Sequence, residues 1–275
     1  MKRLALTLAI AGIAAMGITS CKKSSKEVAA SPDGVSQEAL SQIRSLGFSD
    51  QNVQKVDEGY LVEGDIILTP ADLTQRPSSP ELVYANEEHY RTTNVVNTST
   101  YATIKVALNN SSTQHQAAFS AALDEAIRRY NAEGLRVRFQ RVTSGANVSV
   151  VAYYQVSNTL GSSGFPTSSG APYSQVKMNT YWYSTGTAST NINYIATIMA
   201  HELGHCIGFR HTDYMNRAYS CGGSAVNEGT AGVGAVYISG TPTGASASSW
   251  MLACVGSGQN RPFTSADRTA LNYVY

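Results

Sequence analysis

Two histidines four residues apart, with a glutamate directly after the first, give His201-Glu202-Leu203-Gly204-His205 the residue types and spacing of a reaction centre. On an α-helix four residues turn through about 400° and rise about 6 Å, so both imidazoles face one way and can share a metal ion. Glu202 lies beside them, in reach of a water molecule at that metal. Further on, Gly208 and His211 extend the pattern to H-E-x-x-H-x-x-G-x-x-H, which arises by chance far less often than the bare five residues. A continued helix would carry His211 about 9 Å further along the axis and off the shared face. The chain must therefore turn back, and Gly208 can do this because glycine accepts left-handed backbone without a Cβ penalty. Three neutral imidazoles leave a fourth tetrahedral position open, the arrangement of a catalytic rather than a structural zinc. The expectation is one catalytic Zn2+ held by His201, His205 and His211, with Glu202 as general base for hydrolysis of a peptide bond. His89 and His115 lack partners at ligand spacing and are read as hydrogen-bonded core residues.

These residues need a scaffold. Asn191 to Phe209 is mostly apolar and rich in helix formers, so it predicts a buried active-site helix. From about Thr103 the pattern is that of an α/β (α+β) domain. Ile104, Val106 and Leu108 alternate as a strand, and a helix follows over Gln114 to Asn131 with the stripe Phe119, Leu123, Ala126, Ile127 and Tyr130. Strands are expected at 137–142, 147–154 and 175–179, with a Gly/Ser/Pro-rich loop over 157–172. Thr264 to Asp267 looks like the capped start of a final helix. No repeat of solenoid length is present.

The 275 residues are 43% apolar, carry a formal charge of +1 and are only 14% charged. Such a chain can bury a sizeable core but offers no basic field for nucleic acid, so no nucleic-acid partner is expected, and the chain is read as a monomer. Lys2 and Arg3 precede an apolar run, Leu4 to Ile18, too short for an ordinary membrane span, so residues 1–20 read as an export signal. Its end, Ile18-Thr19-Ser20-Cys21, resembles the lipobox of bacterial lipoproteins, which implies acylation of Cys21 and a lipid anchor in the cell envelope. Residues 21–34 read as a flexible tether and Arg76-Pro77-Ser78-Ser79-Pro80 as a linker. Between them lie a short helix at 36–48 and a strand-like stretch, 60–68, broken by Gly64-Asp65. Without Cys21 three cysteines remain, Cys206, Cys221 and Cys254, so one disulfide and one free thiol are expected, the pairing left open.

The run H-E-L-G-H-C-I-G-F-R-H-T-D-Y at His201 to Tyr214 resembles the dual-action HEIGH metallopeptidases, within the metzincins. That resemblance covers 103–275. It implies a twisted mixed sheet, an active-site helix and a mostly irregular C-terminal subdomain with a final helix. It also implies a methionine turn under the metal, for which Met251 in Ser249-Trp250-Met251 stands at a suitable distance, and an upper strand at 175–179 that takes extended substrate by strand addition. Astacins carry a tyrosine two residues after that methionine, where this chain has Ala253. Leu61 to Leu68 resembles the F-x-G-D segment of astacin propeptides, with Val62 in place of Phe, which implies that Asp65 occupies the fourth metal position until the segment is removed. The domain reading is then signal peptide 1–20, tether 21–34, propeptide and linker 35–80, and catalytic domain 81–275.

Other chemistry is not supported. Gly229 to Gly234 does not run from a strand into a helix as a phosphate cradle must, no G-x-S-x-G is present, and Cys206 has no free histidine partner. Two competing readings remain: a catalytically silent surface adhesion or binding protein on the same scaffold, and a thermolysin-like enzyme in which His211 is incidental and a downstream Glu is the third ligand. A purely structural metal has no use for Glu202, which speaks against the first. The leading reading is an extracytoplasmic zinc endopeptidase, made as a zymogen and acting on protein or peptide substrates.

Overall fold

In the computed structural model the described residues are 34–46, 48–74, 89–109, 115–183, 191–225, 227–228 and 234–275. The export signal, Cys21, the linker and most of the tether and of the Gly229 to Gly234 loop lie outside them. Helix α1 (Gln37–Ser45) starts where the Ser36 side chain accepts the Ala39 N–H at 3.1 Å. Strands β1 (Gln54–Val56), β2 (Gly59–Val62) and β3 (Ile66–Leu68) form an antiparallel meander, followed by the single helical turn α2 (Pro70–Leu73). The stretch expected over 60–68 is thus a hairpin, turned at Glu63 and Gly64 with φ of 55° and 89°. Ala39, Ile43, Val62, Ile66 and Leu68 face inward into one apolar cluster, and among the described residues the only buried member from beyond residue 74 is Phe165.

The larger part begins with the two-residue strand β4 (Tyr90–Arg91) and continues as β5 (Thr103–Asn109), α3 (Gln116–Asn131), β6 (Arg138–Val142), β7 (Val148–Tyr153), β8 (Gly161–Ser162) and β9 (Gln175–Asn179). After a 3-10 turn at Thr180–Tyr183 come α4 (Ile192–Cys206), the short α5 (Ala218–Cys221), β10 (Val236–Tyr237), which pairs with β4, and α6 (Ser265–Val274). The main sheet has the order β6-β5-β7-β9-β8, parallel except for β8. It is the mixed α/β architecture expected. Ile104 and Val106 bury one face of β5, and the predicted stripe of α3 is buried with Ala122 added. α3 packs along α4, and Arg129, 5% exposed, locks the pair by donating to Thr197 Oγ1 at 3.2 Å and Asn193 Oδ1 at 3.3 Å.

One expectation is corrected. β9 is not a free edge for strand addition, because β7 pairs with it on one side and β8 on the other. The edge is β8, in the stretch expected to be loop, and beside it Ser163 pairs in parallel with Ile66. Cys221 and Cys254 form the disulfide and Cys206 is a buried free thiol. His89 is buried with Nε2 2.7 Å from Asp267 Oδ1, and His115 is buried against the Phe119 ring. No helix among the described residues is long and apolar enough to cross a membrane.

Candidate metal centre

α4 is buried from Tyr194 to Cys206, as its apolar composition demands. It ends at Cys206. The N–H groups of Gly208 and Phe209 then close back onto His205 O at 2.8 Å and Gly204 O at 2.9 Å. Gly208 makes the reversal with φ of 108°, and a Cβ there would stand 3.0 Å from Asn94 O, so both backbone and space require glycine. The reversal does two things for the site: Phe209 O comes 2.8 Å from His205 Nδ1, and His211 is swung beside the other two imidazoles.

The three rings meet through Nε2: His205 lies 3.1 Å from His201 and 3.2 Å from His211. Each Nδ1 faces an acceptor at 2.8 Å: Trp250 O for His201, Phe209 O for His205 and Glu228 Oε1 for His211. Acceptors there place the ring proton on Nδ1, which turns three Nε2 lone pairs toward one point. Asp65 joins them, with Oδ2 3.0 Å from His211 Nε2 and 3.5 Å from His201 Nε2, while its buried Oδ1 has no hydrogen-bond partner among the described residues. Four converging electron-rich atoms repel one another unless a proton or a metal cation lies among them. The donor set of three imidazoles and a carboxylate fits a first-row divalent metal.

Electrostatics follow from burial and these neighbours. Burial and the flanking imidazoles hold His205 well below the usual histidine range, so it stays neutral and free to ligate. Burial also opposes charge on His211, yet the Asp65 and Glu228 carboxylates outweigh it and push its pKa up. Burial, then the Asp65 charge, raises the Glu202 carboxyl well above its ordinary range, against a hydrogen bond from Ser163. Met251 is fully buried against α4, where a Cβ on Gly204 would meet its Sδ at 2.6 Å. Met251 O also accepts the Thr212 N–H at 2.9 Å, tying the turn to the segment just past His211.

The structure therefore brings together His201, His205, His211, Glu202, Asp65 and Met251, with Gly208 at the reversal. Sequence reasoning missed Gly204, Ser163 and Glu228. Gly204 did carry a signal, since a mid-helix glycine costs about 1 kcal/mol and marks a close approach. Glu228 carried none: it is buried with Arg210 Nη2 3.7 Å and Arg217 Nε 3.4 Å away, and Arg217 also donates to Glu63 O. Tyr214 packs edge-on against Tyr90 and under Arg210.

A family model described as the dual-action HEIGH metallo-peptidase matches residues 61–275, a span that includes the Asp65 hairpin turn. Among solved structures, myroilysin is 17% identical, with a TM-score of 0.38 over 66% of this chain and 95% of its own. No curated protein matches. The match spans most of the chain, which therefore belongs to the dual-action HEIGH metallo-peptidase family.

Proposed function

We propose that the chain is a zinc-dependent endopeptidase kept latent by its own N-terminal part. The convergence of three Nε2 atoms, each set by an acceptor on its Nδ1, is the observation that carries this reading. His201, His205 and His211 would hold the metal, which when bound supplies a Lewis acid for the scissile carbonyl and lowers the pKa of water. Glu202, directly beside the first histidine, would take the proton of the attacking water and hand it to the leaving amide nitrogen. Asp65 fills the space that water needs, so the hairpin turn blocks the reaction. Met251 would brace the metal-binding helix by packing against Gly204, between the two helical histidines in sequence. An extended substrate backbone would take the place of Ile66 beside Ser163, at the edge of the sheet.

The export signal and Cys21 support a place in the cell envelope, with the chain attached to the membrane through lipid on Cys21. Cleavage between residues 74 and 89 would remove Asp65 and free the enzyme from its anchor in one step. The test is hydrolysis of denatured protein by chain cut in that interval, with and without a zinc chelator, alongside Glu202→Ala. Chelator-sensitive cleavage that is lost in the variant, with one zinc still bound per chain, is expected. Stoichiometric zinc without cleavage in the correctly folded protein would instead favour a binding role for the site.

A further inference from the structure

Glu202 is buried, and a buried general base must be aimed, since its carboxylate can rotate about the side chain. Two features of the sheet edge aim it. Ser163 Oγ donates to Glu202 Oε2 at 2.7 Å and lies 3.0 Å from Glu202 O, so the hydroxyl spans the residue's side chain and main chain. On the other oxygen, a Cβ on Gly161 would stand 2.9 Å from Oε1, so glycine leaves just enough room for the carboxylate. Ser163 is itself fully buried, which holds its hydroxyl in place.

The main chain of Ser163 has a second task. Its N–H donates to Asp65 O at 2.8 Å and its carbonyl accepts the Ile67 N–H at 2.6 Å, so the two groups bracket Ile66 in the cleft. These are the groups that any extended chain lying along this edge must use. One residue thus fixes how far a backbone sits along the edge and, through its side chain, where the base points.

We propose that Ser163 is a positioning residue for the peptidase reaction, setting the Glu202 carboxylate in register with the backbone that Ser163 itself docks. The inference rests on Glu202 being the base. Ser163→Ala keeps both docking groups and removes only the hydroxyl, so it separates aiming from docking. Gly161→Ala is an independent perturbation, crowding the carboxylate from the opposite oxygen.

The experiment uses the full chain carrying a specific-protease site within residues 76–80, folded with its N-terminal part and then cut. It measures kcat and KM on a fluorogenic peptide, zinc per chain and melting temperature for Ser163→Ala, Ser163→Thr, Gly161→Ala and Glu202→Gln. Losing one hydrogen bond to a charged reacting group predicts a kcat for Ser163→Ala roughly ten- to a hundredfold lower, with KM within about twofold. Zinc content stays at one, Gly161→Ala loses kcat in the same way, and Ser163→Thr, which keeps the hydroxyl, regains most of it. Unchanged kcat in Ser163→Ala and Gly161→Ala beside an inactive Glu202→Gln would overturn the proposal while leaving the base in place. So would a loss confined to KM, or one that tracks zinc content or melting temperature. An active Glu202→Gln would instead bring down the base assignment, and this inference with it.

Discussion

Asp65→Ala in the uncut chain tests whether the proposed latency resides in one carboxylate. The N-terminal part is held on the rest of the molecule by several contacts besides Asp65 Oδ2 at 3.0 Å from His211 Nε2. Two backbone bonds join Ser163 to Asp65 and Ile67 at 2.8 and 2.6 Å, Thr159 Oγ1 donates to Gly64 O at 3.0 Å, and Lys177 Nζ meets Glu58 at 3.0 Å. A hydrogen bond to a charged group contributes roughly 1.5 to 3 kcal/mol and a neutral one roughly 1. Deleting the carboxylate therefore weakens the hold by roughly ten- to 150-fold, but the remaining contacts and a covalent link worth millimolar effective concentration keep the segment mostly docked. The uncut variant should hydrolyse a fluorogenic peptide at least about tenfold faster than the uncut parent, yet stay below the cut enzyme. Asp65→Asn, which retains one oxygen but not the charge, should fall between them. Zinc measured on each sample keeps the comparison at equal metal loading. If uncut Asp65→Ala is as silent as the parent, and fully active once cut, then the strand contacts alone enforce latency and the carboxylate has been misread.

Three further outcomes are expected. Glu228→Gln replaces the carboxylate on His211 Nδ1 by a neutral amide that can still accept, and should weaken metal binding roughly ten- to a hundredfold in a chelator competition; an unchanged affinity would show that Glu228 serves Arg210 and Arg217 instead. Paired Cys221→Ser and Cys254→Ser changes open a link between residues 33 apart and should cost about 3 to 4 kcal/mol in urea unfolding, an effect that reductant must reproduce in the parent. Glu125, held at about 2 rather than 4.5 chiefly by the Arg128 hydrogen bond, has its pKa depressed in the folded state, so its contribution is present above pH 4.5 and is lost as pH falls toward 2. Glu125→Gln should flatten that limb of the acid-unfolding curve followed by circular dichroism, and an unchanged limb would refute the linkage.

What could be read in the sequence was whatever repeats along the chain. α3 and α4 declare themselves by apolar spacing, α6 by the Thr264 and Asp267 capping box, and the three histidines by a spacing that only a helix followed by a reversal satisfies. β8 was invisible because Gly161 and Ser162 have neither β-branched nor apolar side chains, and its strand character comes from pairing with Met178 and Lys177. Ser163 and Glu228 were hidden for another reason. Each acts on a residue far along the chain, 39 and 17 positions away, and nothing local in a sequence records such a partner.

Among the described residues the two apolar clusters share no member, and from beyond residue 74 only Phe165 enters the smaller one. Taking away residues 34–74 would therefore uncover Phe165 and the Ser163 edge without removing any member of the larger core. On the proposed reading, opening the cleft would be an unlatching and not an unfolding. Among the polar contacts that hold the latch is the partly exposed Lys177 to Glu58 ion pair, which ionic strength would weaken more than the buried core. A latch of this kind can close again on the same edge, so the severed piece would remain a competitor for the cleft until it diffuses away or is itself digested.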